Sequence, residues 1–162
     1  MAEQNPMLAG IYEGWVGYQA HLVKALTPLS AAQLELRAAP HLRSIRQITT
    51  HLVAARARWL YNALHEGDAT INEIGRWDRP DAAARSPSSL VEGLERTWQV
   101  LQSALANWTP TDVITPIVEE WQGETVTLER PWVIWHLIEH DLHHGGELSF
   151  SLGMHGLAAP DL

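Results

Sequence analysis

The stretch Pro131-Trp132-Val133-Ile134-Trp135-His136-Leu137-Ile138-Glu139-His140-Asp141-Leu142-His143-His144-Gly145-Gly146-Glu147-Leu148 decides how this chain is read. Proline suits the first helical position, where its missing N–H has no intrahelical partner to lose. Trp132, Ile134, Leu137, Ile138, Leu142 and Leu148 follow at steps that repeat an apolar face every helical turn, and Gly153 is the expected stop. Of the nine histidines in the chain, His136, His140, His143 and His144 lie on this helix and His155 lies just past it.

Residues four apart on a helix differ by about 40° around its axis, so His140 and His144 present their rings from one face, a turn apart. Such a pair can chelate one ion. A centre that keeps a position open for chemistry typically takes three protein ligands plus water, so a third donor is needed from another element. His51 is the best candidate. It lies on the inward side of a helix, between Ile48 and Ala55, where an unpartnered imidazole is costly to bury. The same spacing also serves a hydrogen-bonded polar seam or a solvated helix face, and spacing alone leaves these alternatives open. His136 could extend the row and His143 could replace His144; both read as supporting or structural residues. Glu147 falls angularly between His136 and His140, where it could orient an imidazole or act as a general base. Asp141 lies about 100° from His140 and is expected to meet solvent or a neighbouring helix rather than an ion.

The helix carrying His51 opens with a capping box, Ser44 with Gln47, and continues through Ile45, Ile48, Leu52, Ala55 and Trp59 to about Leu64. An earlier helix is marked by Leu8, Ile11, Trp15, Tyr18, Leu22 and Leu26. Between them, Ser30 with Gln33 caps a short turn. Residues 66–87 mix Gly67, Gly75, Pro80 and Pro87 with charges and read as a long loop. Ser89 with Glu92 is expected to cap the third long helix, whose stripe is Leu94, Trp98, Leu101, Leu105 and Trp108 until Thr109-Pro110 ends it. Between Val113 and Leu128, β-branched residues around Gln122-Gly123 suggest a small hairpin. The expected fold is therefore all-α, a single domain over residues 1–162 forming an antiparallel four-helix bundle with a small β-hairpin before the last helix. Trp15, Trp59, Trp98 and Trp108 fall on stripes and are expected in the core, whereas Trp121, Trp132 or Trp135 could line a pocket.

Composition narrows the function. The net charge is -8, with acidic residues spread along the chain, so there is no basic face for a nucleic-acid backbone. The first six residues lack a basic and apolar leader and no run approaches a membrane span, which makes the cytoplasm the expected location. There is no cysteine, so a metal must be held by nitrogen and oxygen, and a reactive thiol must arrive on a substrate.

The run from Trp135 to Leu148 closely resembles the last-helix signature of the DinB-like superfamily, His-(Glu/Asp)-x-x-His-Arg-Gly-Gln. The segment Arg43-Ser44-Ile45-Arg46-Gln47-Ile48-Thr49-Thr50-His51-Leu52 resembles that family's second-helix segment, in which a serine cap precedes the first ligand histidine. The tail, Gly153 to Pro160, is also similar. Two positions depart: Gly145 stands where the family usually has arginine, and Glu147 where it usually has glutamine. The resemblance implies an up-down-down-up bundle, a homodimer, and one divalent ion, nickel or zinc, on His51, His140 and His144. It further implies either a metal-dependent hydrolase or a thiol-dependent S-transferase or isomerase using a small thiol such as bacillithiol or mycothiol. The rival from another class is a non-catalytic, metal-binding, stress-associated interaction protein.

Overall fold

Short polar side chains set where the helices begin. The structure, a computed structural model, describes residues 6–121 and 123–160, and its long helices are α1 (Pro6–Leu26), α2 (Ile45–Arg58), α4 (Pro87–Asn107) and α6 (Arg130–Met154). Between them lie the short helices α3 (Ala69–Ile74) and α5 (Pro110–Ile114). Ser44 accepts from the Gln47 amide while the Gln47 side chain accepts from the Ser44 amide, the reciprocal box read from the sequence. Ser30 and Gln33 make the same exchange ahead of a 3₁₀ turn, Gln33–Glu35. Past Arg58, α2 widens into a single π-helical turn, Trp59–Ala63.

Contacts between helices fix their directions. Arg43 reaches Glu147, Arg56 reaches Asp141 and the Trp59 ring meets Trp132, so α2 and α6 run antiparallel. Arg46 reaches the Arg85 carbonyl just before α4 and Arg56 reaches Thr97, so α2 and α4 run the same way. Trp15 reaches Asp141 and Tyr18 abuts Gly145, so α1 follows α6. The order is up-down-down-up. Leu22, Leu52, Leu94, Leu101, Leu137 and Leu152 are fully buried between these helices, the burial that outweighs the entropy of ordering the chain.

Strands β1 (Ile117–Trp121) and β2 (Glu124–Leu128) pair antiparallel, Ile117 opposite Leu128 and Trp121 opposite Glu124, and form the hairpin before α6. Gln122, half of the expected turn signal, and the side chains of Trp121 and Leu8 lie outside the described residues.

Five expectations need correction. Residues 66–87 are not all loop: Asp68 caps α3 by accepting from the Thr70 and Ile71 amides, and Ile71 and Ile74 are buried. Glycine, proline and charge hid a stripe too short to register as periodic. Helix α4 starts at Pro87 with Ser86, not Ser89, as its cap, because Ser86 accepts from the Ser89 amide and leaves proline in the first turn. Val113 belongs to α5, whose capping box is Thr109 with Asp112, rather than to the hairpin. Helix α6 runs past Gly153; Gly156, at φ +65°, takes the left-handed position while the Leu157 amide bonds the Leu152 carbonyl. Finally, Ile11 and Leu142 are exposed despite lying on expected core stripes.

Candidate metal centre

The antiparallel packing of α2 on α6 brings His51 opposite His140 and His144. Ring centroids are 5.3 Å apart for His51 and His140, 4.9 Å for His51 and His144, and 4.3 Å for His140 and His144. One nitrogen from each of the three rings lies within 4.8 Å of the others, a spacing that could hold a single ion. His144 is buried, and His51 and His140 are partly buried.

Two of the rings are oriented by carboxylates. His51 Nδ1 lies 2.8 Å from Asp78 Oδ2, and His144 Nδ1 lies 2.6 Å from Glu147 Oε2. An ionised carboxylate only accepts, so Nδ1 is the donor in both contacts and Nε2 is the nitrogen left free to face an ion. Each carboxylate is held in turn by an arginine. Arg58 donates to both oxygens of Asp78 at 2.5 and 3.0 Å, and Arg43 Nη2 donates to both oxygens of Glu147 at 2.9 and 2.8 Å. Burial pushes both carboxyl pKa values up, but these hydrogen bonds and nearby positive charges outweigh it, and both lie below the ordinary value. The third ring differs: His140 Nδ1 is buried and has no hydrogen-bond partner among the described residues. Burial, reinforced by the neighbouring histidines and Arg56, holds the His140 pKa down to about 3, so its imidazole is neutral at ordinary pH. Burial also lowers that of His144, against the opposing pull of Glu147.

The remaining candidates sit around this cluster. His136 is sandwiched between Trp59 (4.8 Å) and Trp132, with which it stacks at an interplanar angle of 1°. Its ring is 6.2 Å from that of His140. His143 is exposed; with His144 and Glu147 it forms a second group of compatible spacing, but Glu147 is already engaged by Arg43 and His144. Asp141 faces inward, away from solvent. Its Oδ2 accepts from Arg56 Nη2 at 2.7 Å and from Trp15 Nε1 at 2.8 Å. Where a glycine replaces the family's usual arginine, a Cβ on Gly145 would lie 1.8 Å from the Tyr18 hydroxyl. No longer side chain fits there against Tyr18.

The sequence carries no local sign that Asp78, Arg58 and Arg43 support the cluster. Asp78 lies 27 residues from His51 in the stretch read as loop, and a pairing across that distance has no periodic signature. The one available signal was an Asp68 cap ahead of Ile71 and Ile74, which would have folded the segment back onto α2. A cleft of about 520 Å³ opens beside His51 and Asp78, with Arg43, Thr50, Trp77 and Arg85 also in its walls. Trp135 lines a different, apolar groove with Tyr12, Trp108 and Ile138. No helix among the described residues is long and apolar enough to cross a membrane.

An up-down-down-up bundle with a histidine cluster shared between its second and last long helices defines the class of protein. The chain belongs to the DinB superfamily, whose family model matches residues 17–148. It is similar to the crystal structure of a DinB-like protein from Bacillus cereus, with a TM-score of 0.72 and 21% sequence identity over 95% of this chain and 96% of that one. At that identity the likeness speaks to the fold. No curated protein sequence matches the chain.

Proposed function

We propose that His51, His140 and His144 hold one divalent metal ion, nickel or zinc, and that the protein is a metal-dependent enzyme of the cytoplasm, assembled as a homodimer. One observation carries the reading: three imidazole nitrogens from two helices lie within 4.8 Å of one another, and a ring nitrogen of the cluster is buried without a partner among the described residues. Leaving such an atom unsatisfied costs about 1–3 kcal/mol, a cost that coordination in the cluster would offset. The donor set fits. Neutral imidazole suits zinc and nickel, and a carboxylate on the far nitrogen of a ligand histidine fixes its tautomer and raises its basicity.

A divalent ion held by three neutral ligands keeps its charge and lowers the pKa of a water or small thiol that binds it. The chain's own residues prepare that position. Asp78 and Glu147 hold the His51 and His144 rings in place, and Arg58 and Arg43 hold the carboxylates. Glu147 is a poor general base, because it accepts from Arg43 and His144 together and its pKa is lowered. Its role is to position His144. With no cysteine in the chain, a thiol nucleophile must come from a low-molecular-weight cosubstrate. Water as the nucleophile makes the protein a hydrolase; a cosubstrate thiol makes it an S-transferase.

A purely structural ion, as in a non-catalytic interaction protein, would serve to tie α2 to α6. The buried Arg56–Asp141 pair already joins those helices, and a cleft opens at the ligand His51, which favours a working site. The test is metal analysis of protein purified without an affinity tag, followed by zinc titration of the metal-free form. One equivalent is expected, and His140→Ala should abolish it, since two imidazoles chelate far more weakly than three. Full occupancy of the alanine variant would refute the assignment. Conjugation of an electrophile with and without a small thiol then separates transferase from hydrolase.

A further inference from the structure

The cleft beside His51 is basic in a chain that is acidic overall. Of the 11 Lys and Arg residues in a protein of net charge -8, Arg37, Arg43, Arg46, Arg79 and Arg85 all line it. Its two acidic lining residues are already spoken for: Glu35 accepts from Arg46, and Asp78 from Arg58. Arg43 is paired with Glu147, and Arg37 bonds the Leu42 carbonyl. Among the described residues that leaves Arg79 and Arg85 without an ion pair, Glu73 and Asp81 lining an adjoining hollow with them but forming none.

Arg85 is held ready rather than left free. Its backbone carbonyl accepts from Arg46 Nη1, and its guanidinium lies 4.8 Å over the Trp77 ring. Trp77 is itself fixed, because it packs so closely on α4 that a Cβ at Gly93 would come within 2.6 Å of its ring. Arg85 Nε is buried and has no hydrogen-bond partner among the described residues. Arg79 is exposed on a turn closed by the bond from the Ala82 amide to the Arg79 carbonyl, and its side chain has no partner among the described residues. A planar guanidinium stacked on an indole loses little freedom when it takes a carboxylate or phosphate.

We infer that Arg79 and Arg85 bind the anionic end of a small-molecule substrate, a carboxylate or a phosphate, whose reactive end reaches the histidine cluster. This rests on the metal reading only for what the reactive end meets; the anion site stands on its own geometry. Calorimetric titration of the metal-free protein at low ionic strength, with inorganic phosphate and separately with succinate, tests it. Binding of one equivalent of at least one anion is expected, weakened about tenfold in each of Arg79→Gln and Arg85→Gln. Lys24→Gln, which removes the same charge from an exposed position on α1, should leave it unchanged. The stronger anion identifies the class. Arg79→Gln keeps the test valid if Arg85→Gln disturbs folding, since Arg79 makes no packing contact of the kind Arg85 makes with Trp77. No binding of either anion, or equal affinity in wild type and both arginine variants, overturns the inference. A parallel zinc titration separates the two readings: an intact anion pattern with no zinc uptake would retain the anion site and refute the metal centre.

Discussion

Asp141→Ala should be among the most damaging single changes in this protein, although it deletes no apolar contact. Arg56 and Asp141 are 0% and 1% exposed, and the carboxylate also anchors Trp15. Removing it leaves a guanidinium shut away from water, with Gln19 as its nearest remaining partner, at 2.9 Å. Breaking a buried pair in this way costs about 3–5 kcal/mol. For a domain of this length each kcal/mol lowers the melting temperature by roughly 2–4 °C, so a fall of about 10 °C is expected. Urea unfolding and calorimetry of the metal-free protein measure both quantities. The double variant Arg56→Met with Asp141→Leu should recover most of the loss, because the penalty comes from the stranded charge and not from a missing attraction. Arg96→Gln, which opens only the exposed pair with Asp68, should change nothing resolvable. An Asp141→Ala cost below about 1 kcal/mol, or a double variant no better than the single, would refute the reasoning.

The adjacent glycines of α6 should respond oppositely to alanine. Gly145→Ala drives a Cβ into the Tyr18 hydroxyl and should cost about 1–3 kcal/mol, whereas Gly146, exposed with nothing within 4 Å, should gain roughly 0.5–1 kcal/mol, both read from urea midpoints. Acid should weaken the metal-free protein early. An unfolded histidine protonates near pH 6.5 whereas native His140 resists to about 3, so between these values the unfolded chain binds the extra proton and stability falls as pH falls, by at most about 1.4 kcal/mol per unit. The lowered carboxyl pKa values of Asp78 and Glu147 add further loss below about pH 4. His140→Gln should flatten the upper part of that slope when unfolding is followed from pH 7 to 4. Asp78→Asn and Glu147→Gln should each weaken zinc binding about 10–100-fold without abolishing it, and an unchanged affinity in competition with a chelator would show that these carboxylates do not prepare the ligands.

What could be read in the sequence was whatever repeats or abuts along the chain. The Ser44–Gln47 box, the stripes of α2 and α4 and the pairing of His140 with His144 are local patterns, and the structure keeps them. Whatever depends on two distant segments meeting was hidden. Helical angle sends Asp141 to solvent or a neighbouring helix and away from the ion; its burial against Arg56 depends on the direction of α2 relative to α6. Asp78 reaches His51 only because α3 turns the chain back, and α3 was masked by the glycines and prolines on either side. Helical angle alone places Glu147 near the rings, but the arginine that occupies it, Arg43, comes from the connector before α2. The stripe rule also overreached: Ile11 and Leu142 obey the period yet are exposed.

The contact of Tyr18 with Gly145 makes these two positions reciprocal in volume. A relative that keeps a long side chain where this chain has Gly145 must place something small where α1 here presents its phenol, or hold that helix farther out. The two sites should therefore vary together across the superfamily, and transplanting either residue alone into a relative should fail where exchanging the pair succeeds.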